Sequence, residues 1–384
     1  FKFLTVMNHK NNKWICTTMI HHCQTILRWL FLTISLTSST AFIVNLPSIG
    51  SHTASIAAAS TTATPTGIPS SRSSVSVSPW FLLATTDTTG ISDDTTTDSD
   101  KTSVSNDRAA IRNLENYEEM LQCTLATKAK FQGKTVLLTG ASGGLGKELA
   151  LQFAECSVAQ LLLSGRNAEA LELVAKECQE RCSTPLTTHV IPCDLADPLS
   201  VQQLGETALQ LCGTAGIDVL VNNGGVSSRS TFIDTKLEVD ARIMQINFLA
   251  GAALAKAVVP IMIAKQQQNT NNGSGGDGGG GSIIWISSVQ GLIGIPGRTS
   301  YAASKFAVQG YCESLRAELA SSGITVHVVS PGYIRTNLSK SALTGDGTAH
   351  GRMDETTLKG RPPKEVAVTL LNAVAKGKGD IVVA

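Results

Sequence analysis

Tyr301 and Lys305 stand four residues apart in a run that reads as helix from about Thr299, so their side chains share one face. A phenol is a poor proton donor at neutral pH, its ordinary pKa being about 10. An ammonium a few ångströms away stabilises the phenolate and lowers that value. Tyr301 so placed can give a proton to a carbonyl oxygen or take one from an alcohol. Just upstream, Ile283-Ile284-Trp285-Ile286 reads as a strand that ends in Ser287 and Ser288. Either hydroxyl can hold the reacting oxygen in place. Ordinary amphipathic helices carry the same tyrosine-lysine spacing, so the pair gains weight only from the elements around it.

Those elements alternate strand and helix. Lys134 to Leu138 reads as a buried strand and runs into Thr139-Gly140-Ala141-Ser142-Gly143-Gly144-Leu145-Gly146, after which Lys147 to Phe153 continues as helix. Glycines between a strand and a helix let the backbone turn sharply and let a pyrophosphate approach the amides of the helix N-terminus. Gly140, Ser142, Gly144, Leu145 and Gly146 are therefore candidate dinucleotide contacts.

A second strand, Gln160 to Ser164, ends at Gly165-Arg166-Asn167. NAD-binding folds place an acid there against the ribose hydroxyls, and none is present. Arg166 can instead pair with a 2′-phosphate, which favours NADP(H), or it merely flanks a turn. A third strand, Thr187 to Ile191, brings Asp194 to the top of the sheet, either to accept from an adenine amino group or to cap a local turn. Asp197-Pro198 opens the next helix.

The fourth strand, Ile217 to Val221, runs into Asn222-Asn223-Gly224-Gly225, where side-chain amides can tie neighbouring strands and the glycines leave room for a cofactor. Asn247 lies within a long helical stretch from about Leu237 to Lys265, as a core amide or a functional one. Gln266 to Ser282 is low-complexity and reads as a flexible surface insertion. After the Tyr301 helix come a sixth strand, Thr325 to Val329, and Ser330-Pro331-Gly332-Tyr333-Ile334-Arg335-Thr336. Residues 337 to 362 are polar and suit a mobile lid over a substrate. A helix from Pro363 and a strand at Asp380 to Val383 follow. Such alternation predicts an α/β fold, a doubly wound parallel sheet of Rossmann type with ligands at the carboxyl ends of its strands.

The N-terminal part is different in kind. Phe1 is the first residue, and no Asp or Glu occurs before Asp87. Lys2, Lys10, Lys13 and Arg28 precede an apolar run, Trp29 to Leu36, and a Ser/Thr-rich tract follows. Residues 1–86 therefore read as a targeting presequence or membrane-anchor region, for the endoplasmic reticulum membrane or a complex plastid. Residues 87–131 read as a linker and lead-in helix, and 132–384 as the single catalytic domain. The net charge of +1, with 16% charged residues, gives no field for nucleic acid. Nine cysteines without a Cys-x-x-Cys pair read as reduced, mostly buried thiols rather than disulfides or a metal site.

Taken together, Thr139-Gly140-x-x-x-Gly144-x-Gly146, Asn222-Asn223-Gly224-Gly225, Ser288, Tyr301-x-x-x-Lys305 and Pro331-Gly332-x-x-x-Thr336 resemble the short-chain dehydrogenase/reductase family, over roughly residues 132 to 384. The resemblance selects Ser288 over Ser287, because the family's serine also lies thirteen residues before its tyrosine. It also selects the functional reading of Asn247. It implies catalysis by Ser288, Tyr301, Lys305 and Asn247, with Lys305 acidifying the tyrosine and binding the nicotinamide ribose, and Asn247 holding a water. Asn222, Pro331, the Ile334 backbone and Thr336 would join the cofactor site. Two positions depart from the family: Gly224 stands where alanine is usual, and Gly143 where many NADP-preferring members carry a basic residue.

Ser330 to Asn337, Gly345-Asp346-Gly347, Gly351, Met353-Asp354, Gly360-Arg361 and Pro363 further resemble the family's member 7B subgroup. That implies membrane association and a lipid-like ketone substrate. The expected activity is NADPH-dependent reduction of a small-molecule carbonyl by a homodimer or homotetramer. A steroid or retinoid alcohol dehydrogenase, a 3-oxoacyl reductase and a non-catalytic cofactor-binding scaffold or redox sensor are the alternatives.

Overall fold

The structure is a computed structural model that describes residues 5–8, 13–16, 121–271 and 280–384. Near the N-terminus, β1 (Thr5–Asn8) pairs antiparallel with β2 (Lys13–Cys16). The Trp29–Leu36 run, the Ser/Thr tract and most of the linker lie outside the described residues.

The rest is built on β3 (Thr135–Thr139), β4 (Gln160–Gly165), β5 (Thr187–Pro192), β6 (Val219–Asn222), β7 (Ser282–Ile286), β8 (Thr325–Pro331) and β9 (Asp380–Val383). They form one parallel sheet in the order β5-β4-β3-β6-β7-β8-β9. The chain winds outward from β3 to β5, then returns to lay β6 on the other side of β3. That reversal opens a crevice at the carboxyl ends of β3 and β6, where doubly wound sheets bind their ligands.

Helices cover both faces: α1 (Leu125–Phe131), α2 (Gly144–Glu155), α3 (Ala168–Arg181), α4 (Pro198–Cys212), α5 (Leu237–Met244), α6 (Ala250–Asn271), α7 (Thr299–Leu319), α8 (Glu355–Leu358) and α9 (Pro363–Ala375). Alternate residues of the inner strands feed opposite cores, which is why β3, β4, β6 and β7 read as apolar runs, while the edge strands β5 and β9 are partly exposed. Val136, Leu138, Leu161, Leu163, Val219 and Val221 pack with α2, α3 and α9. Leu137, Leu162, Leu220, Ile283 and Trp285 pack with α4, α6 and α7.

Several boundaries differ from the sequence expectation. The lead-in helix begins at Leu125, where the Thr124 hydroxyl caps it by accepting from Thr127 N. β6 begins at Val219, and just before it the Asp218 carboxylate accepts from Thr135 N at 2.9 Å and from Lys265 Nζ at 2.6 Å. The expected insertion, Gln266 to Ser282, is helical at its start, since α6 continues to Asn271 through glutamines that favour helix; residues 272–279 lie outside the described residues, and Ser282 belongs to β7. A π-helical turn, Gln245–Leu249, joins α5 to α6. The span Leu237–Gln268 is long and apolar enough to cross a membrane. Val239, Ile243, Ala250, Leu254 and Val258 within it are buried in the domain, so it serves as a core helix.

Candidate active site

The crevice holds about 530 Å³, and its floor is the glycine turn between β3 and α2. Gly140 and Gly144 adopt positive φ, +67° and +55°, which favours glycine. A Cβ on Gly146 would lie 2.0 Å from Gly140 O, so only glycine lets α2 begin this close to β3. Gly143 is extended and faces open space, with nothing within 4 Å of an added Cβ. Ser142, Gly144, Leu145 and Gly146 all line the crevice, as does Arg166 at the end of β4.

Asp194 borders the same end, and both expectations for it meet there. One carboxylate oxygen accepts from Ala196 N at 3.0 Å, a local turn, while the residue also lines the crevice.

Asn222 is a correction. It is buried, donates to Gly251 O at 3.3 Å, and is absent from the crevice lining. As the last residue of β6 it faces the α6 side of the sheet, where Gly251 packs against it and Trp285. The next residue does the expected work. Asn223 lines the crevice, and its Nδ2 donates to Thr139 O at 2.9 Å and Gly140 O at 3.2 Å, tying the glycine turn to β6. The period of two along a strand decides which asparagine faces the cofactor side.

At the other end, the β7 strand delivers Ser287 and Ser288, and they diverge. Ser287 donates to Lys305 O at 3.2 Å and accepts from Gln309 Nε2 at 3.1 Å, which ties β7 to α7. Ser288 keeps its hydroxyl beside Tyr301 while accepting from Gln290 N at 3.1 Å. Tyr301 is 6% exposed, and Lys305 lies 5.6 Å from its ring centroid, donating to Ile286 O at 2.8 Å.

Burial acts on both groups. It pushes the Tyr301 phenol up from its ordinary value, opposed by hydrogen bonding with Ser288 and by the positive charges of Arg229 and Arg298. It pulls Lys305 down to about 8. Desolvation outweighs these acidifying influences on the phenol, and the Lys305 ammonium stands 5.6 Å from its ring centroid.

Asn247 sits in the π-turn, buried beneath the crevice rather than lining it. Its Oδ1 accepts from Val226 N at 2.8 Å, and its Nδ2 donates to Val226 O at 2.9 Å and Ser304 Oγ at 2.9 Å. The side chain is thus engaged at both ends and positions the Val226 loop.

Pro331, Ile334 and Thr336 line the crevice as expected, and Thr336 abuts Gly144 closely enough that a Cβ there would meet it at 3.1 Å. Residues 337–362 are not a loose lid. Ala342 and Leu343 are buried, Leu343 bridges to Ser228, and Asp354 is ion-paired to Arg229 and Arg298. On the crevice wall, the buried Ser164 Oγ and Gln290 Oε1 have no hydrogen-bond partner among the described residues. Sequence reasoning named Asn223 as a strand-tying amide but not as a residue of the crevice, and missed Arg229 and Gln290; alternation along β6 was the one signal available, for Asn223.

A nicotinamide dinucleotide fits this donor set: a glycine turn without room for a Cβ at Gly140 or Gly146, amides at a helix N-terminus, and the Ser164 hydroxyl, unpartnered among the described residues. The short chain dehydrogenase family model matches residues 134–346. Dehydrogenase/reductase SDR family member 7B of Bos taurus is 43% identical over 264 residues, 68% of this chain and 76% of the relative. Dehydrogenase/reductase SDR family protein 7-like of Anopheles gambiae is 42% identical over 257 residues, 66% of this chain and 75% of the relative. Among solved structures, a short-chain dehydrogenase from Sphingobium yanoikuyae in complex with NADPH superposes with a TM-score of 0.54 at 25% identity, covering 65% of this chain and 87% of that one. A Burkholderia phymatum short-chain dehydrogenase/reductase in complex with NAD shares the fold, with a TM-score of 0.55 at 20% identity, over 66% and 89%.

Proposed function

The chain belongs to the short-chain dehydrogenase/reductase family, and from that premise we propose that it reduces a ketone or aldehyde with NADPH, Tyr301 giving the proton. The observation that carries this reading is the meeting of Ser288, Tyr301 and Lys305 in one crevice with the glycine turn. When bound, the nicotinamide supplies hydride to the carbonyl carbon.

The chain's own residues bind, orient and protonate. Amides at the start of α2 face the pyrophosphate, Arg166 takes the 2′-phosphate, and Asp194 takes the adenine amino group. Lys305, cationic at neutral pH even with its pKa down to about 8, serves the ribose. Ile334 and Thr336 serve the carboxamide. Ser288 orients the carbonyl oxygen. A phenol held above its ordinary value stays protonated at pH 7, the form that a reductase needs. Asn247 acts one step back, through the Val226 loop.

NADPH over NADH rests on Arg166, which is exposed at the end of β4 with no acid beside the turn. A lipid-like substrate is supported by Ile295, Tyr333 and Leu338 on the crevice wall and by exposed Leu292 and Ile293 close by in sequence. Self-association through α6 and α7 is supported by exposed Ile261 and Phe306; sedimentation as a monomer would reject it.

A panel of ketones of rising chain length, assayed with NADPH and NADH, tests the activity. Tyr301→Phe is expected to lower kcat by about 10²–10⁴-fold while nicotinamide fluorescence reports retained NADPH binding. Undiminished turnover in that variant rejects Tyr301 as the donor.

A further inference from the structure

Asp354 lies within the segment that follows β8, far in sequence from Tyr301, yet it meets both elements that frame the tyrosine. Arg229, in the loop after β6, donates to Asp354 Oδ2 through Nε at 2.8 Å and through Nη2. Arg298, immediately before α7, donates to the same oxygen at 3.2 Å. His350 Nε2 lies 3.6 Å from the other oxygen. Arg229 lines the crevice, but its Nη1 is also spent, on Ser227 Oγ at 2.7 Å and on Ser228 O. A guanidinium so fully used holds protein together rather than waiting for a ligand.

The geometry is that of a clasp. Arg298 O accepts from Ala302 N at 2.8 Å, so Arg298 belongs to the first turn of the helix that carries Tyr301. Leu343 N donates to Ser227 O at 2.9 Å and Arg229 N to Leu343 O at 2.8 Å, which laces the 337–362 segment to the same loop. Arg229 and Asp354 are 11% and 20% exposed at their side chains, and Arg298 is 16% exposed, so the ion pairs are shielded from bulk screening. We propose that Asp354 is a positioning residue: one carboxylate, shared by Arg229 and Arg298, that fastens the substrate-covering segment to the Tyr301 helix and sets the charge facing the phenol. This rests on the reading of Tyr301 as proton donor.

The charges around Tyr301 make the idea testable by sign. Lys305 faces the tyrosine from its own helix, Ser288 from β7, Arg229 from the β6 loop and Arg298 from the helix start. Asp354, with His350 behind it, comes from the covering segment, and Tyr333 and Asp240 face this neighbourhood through Arg298 and Ser300. Burial raises the Asp354 carboxyl, but the hydrogen bond and charge of Arg229, with Arg298 and His350, hold it below its ordinary value, so it is anionic at neutral pH. Two arginines against one carboxylate leave a net positive charge near the phenol. Asp354→Asn increases that charge, and Arg298→Met reduces it.

Both substitutions undo the clasp, so both are expected to raise the KM for a reducible ketone about tenfold, and to speed hydrogen exchange in residues 338–353. NADPH binding by fluorescence should change by less than about twofold. Reduction needs the protonated phenol, which titrates above Lys305, so the second, higher-pH fall in kcat/KM, past the one that Lys305 sets at about 8, reports the phenol. Asp354→Asn should move that fall to lower pH, and Arg298→Met to higher pH, by about half a unit each. Thermal unfolding with NADPH present checks that each variant is folded. If one is not, the other still decides by the direction of its shift. Unchanged KM and exchange in both overturn the proposal. So does a KM rise without shifts of opposite sign, which would leave Asp354 a packing residue. Absence of carbonyl reduction in the wild-type protein would instead reject the reading of Tyr301.

Discussion

The two ends of the crevice are built from different materials. At the cofactor end, contacts are made by backbone and by small residues adjacent in the chain: Gly140, Ser142, Gly144 and Gly146 within one turn, locked by Asn223. At the substrate end, long charged side chains meet across 125 and 56 residues of sequence, in the Arg229–Asp354 and Arg298–Asp354 pairs. The first kind of site tolerates almost no added atom, because backbone cannot step aside. The second tolerates repacking but depends on charge balance, because shielded charges left without partners are costly.

The largest effect on cofactor binding that separates the two is expected at Gly146. An alanine there places Cβ 2.0 Å from Gly140 O and 2.6 Å from Asn223 Nδ2, so α2 must move off the turn. Overpacking of this sort costs about 1–3 kcal/mol, and NADPH affinity should fall by at least about tenfold as the amides are displaced. Gly143→Ala, three residues earlier, meets nothing within 4 Å at an extended φ and should change stability by less than about 0.5 kcal/mol. Paired melting curves and NADPH titrations check the contrast. Equal losses in the two variants would mean that the cradle is not defined by backbone contact.

The same division explains how much was legible in the sequence. The inner strands β3, β6 and β7 announced themselves as apolar runs, since burial on both faces leaves no alternation to read, and Asp197-Pro198 marked the start of α4 through a cap that the structure contains. Tyr301 and Lys305 were legible because one helical turn places them, whereas the strand end offered Ser287 and Ser288 alike and only the family resemblance chose between them. Asn222 was mistaken for Asn223 because both are amides and only the pleat tells them apart. The Asp354 clasp left no local trace: no periodicity, cap or turn motif links residues 229, 298 and 354. The segment 337–362 looked mobile by composition, yet long-range pairing, which composition cannot report, ties it down.

Between the two ends stands Lys305, where function and stability should part. Burial takes its pKa from 10.5 to about 8, so the unfolded chain binds more protons than the folded one between those values, and stability rises with pH across that window. At pH 7 the buried ammonium is held at a cost of about 3 kcal/mol, partly offset by its bond to Ile286 O. Lys305→Met should therefore melt no lower than the wild type at pH 7, despite losing at least about 100-fold in kcat/KM. Its stability advantage should shrink by pH 9.5. Thermal unfolding at the two pH values checks this, and a variant several degrees less stable at pH 7 would show that the Ile286 bond outweighs desolvation.

The smallest effect, and the sharpest test of the division, is expected at Arg166. It borders the crevice at the end of β4, exposed to solvent, so any bond to a 2′-phosphate works against water and salt. Arg166→Ala should cut the preference for NADPH over NADH in kcat/KM by about tenfold, the worth of one charge-assisted contact at an exposed site. The KM for the ketone should stay put, since Arg166 belongs to the cofactor end and no side chain links it to the clasp. Added salt should shrink the wild-type preference toward that of the variant, because screening weakens an exposed charge pair and spares the shielded Asp354 pairs. If the variant keeps its preference, or if salt moves the ketone KM as strongly as the NADPH preference, the two ends are not the separate devices that their construction implies.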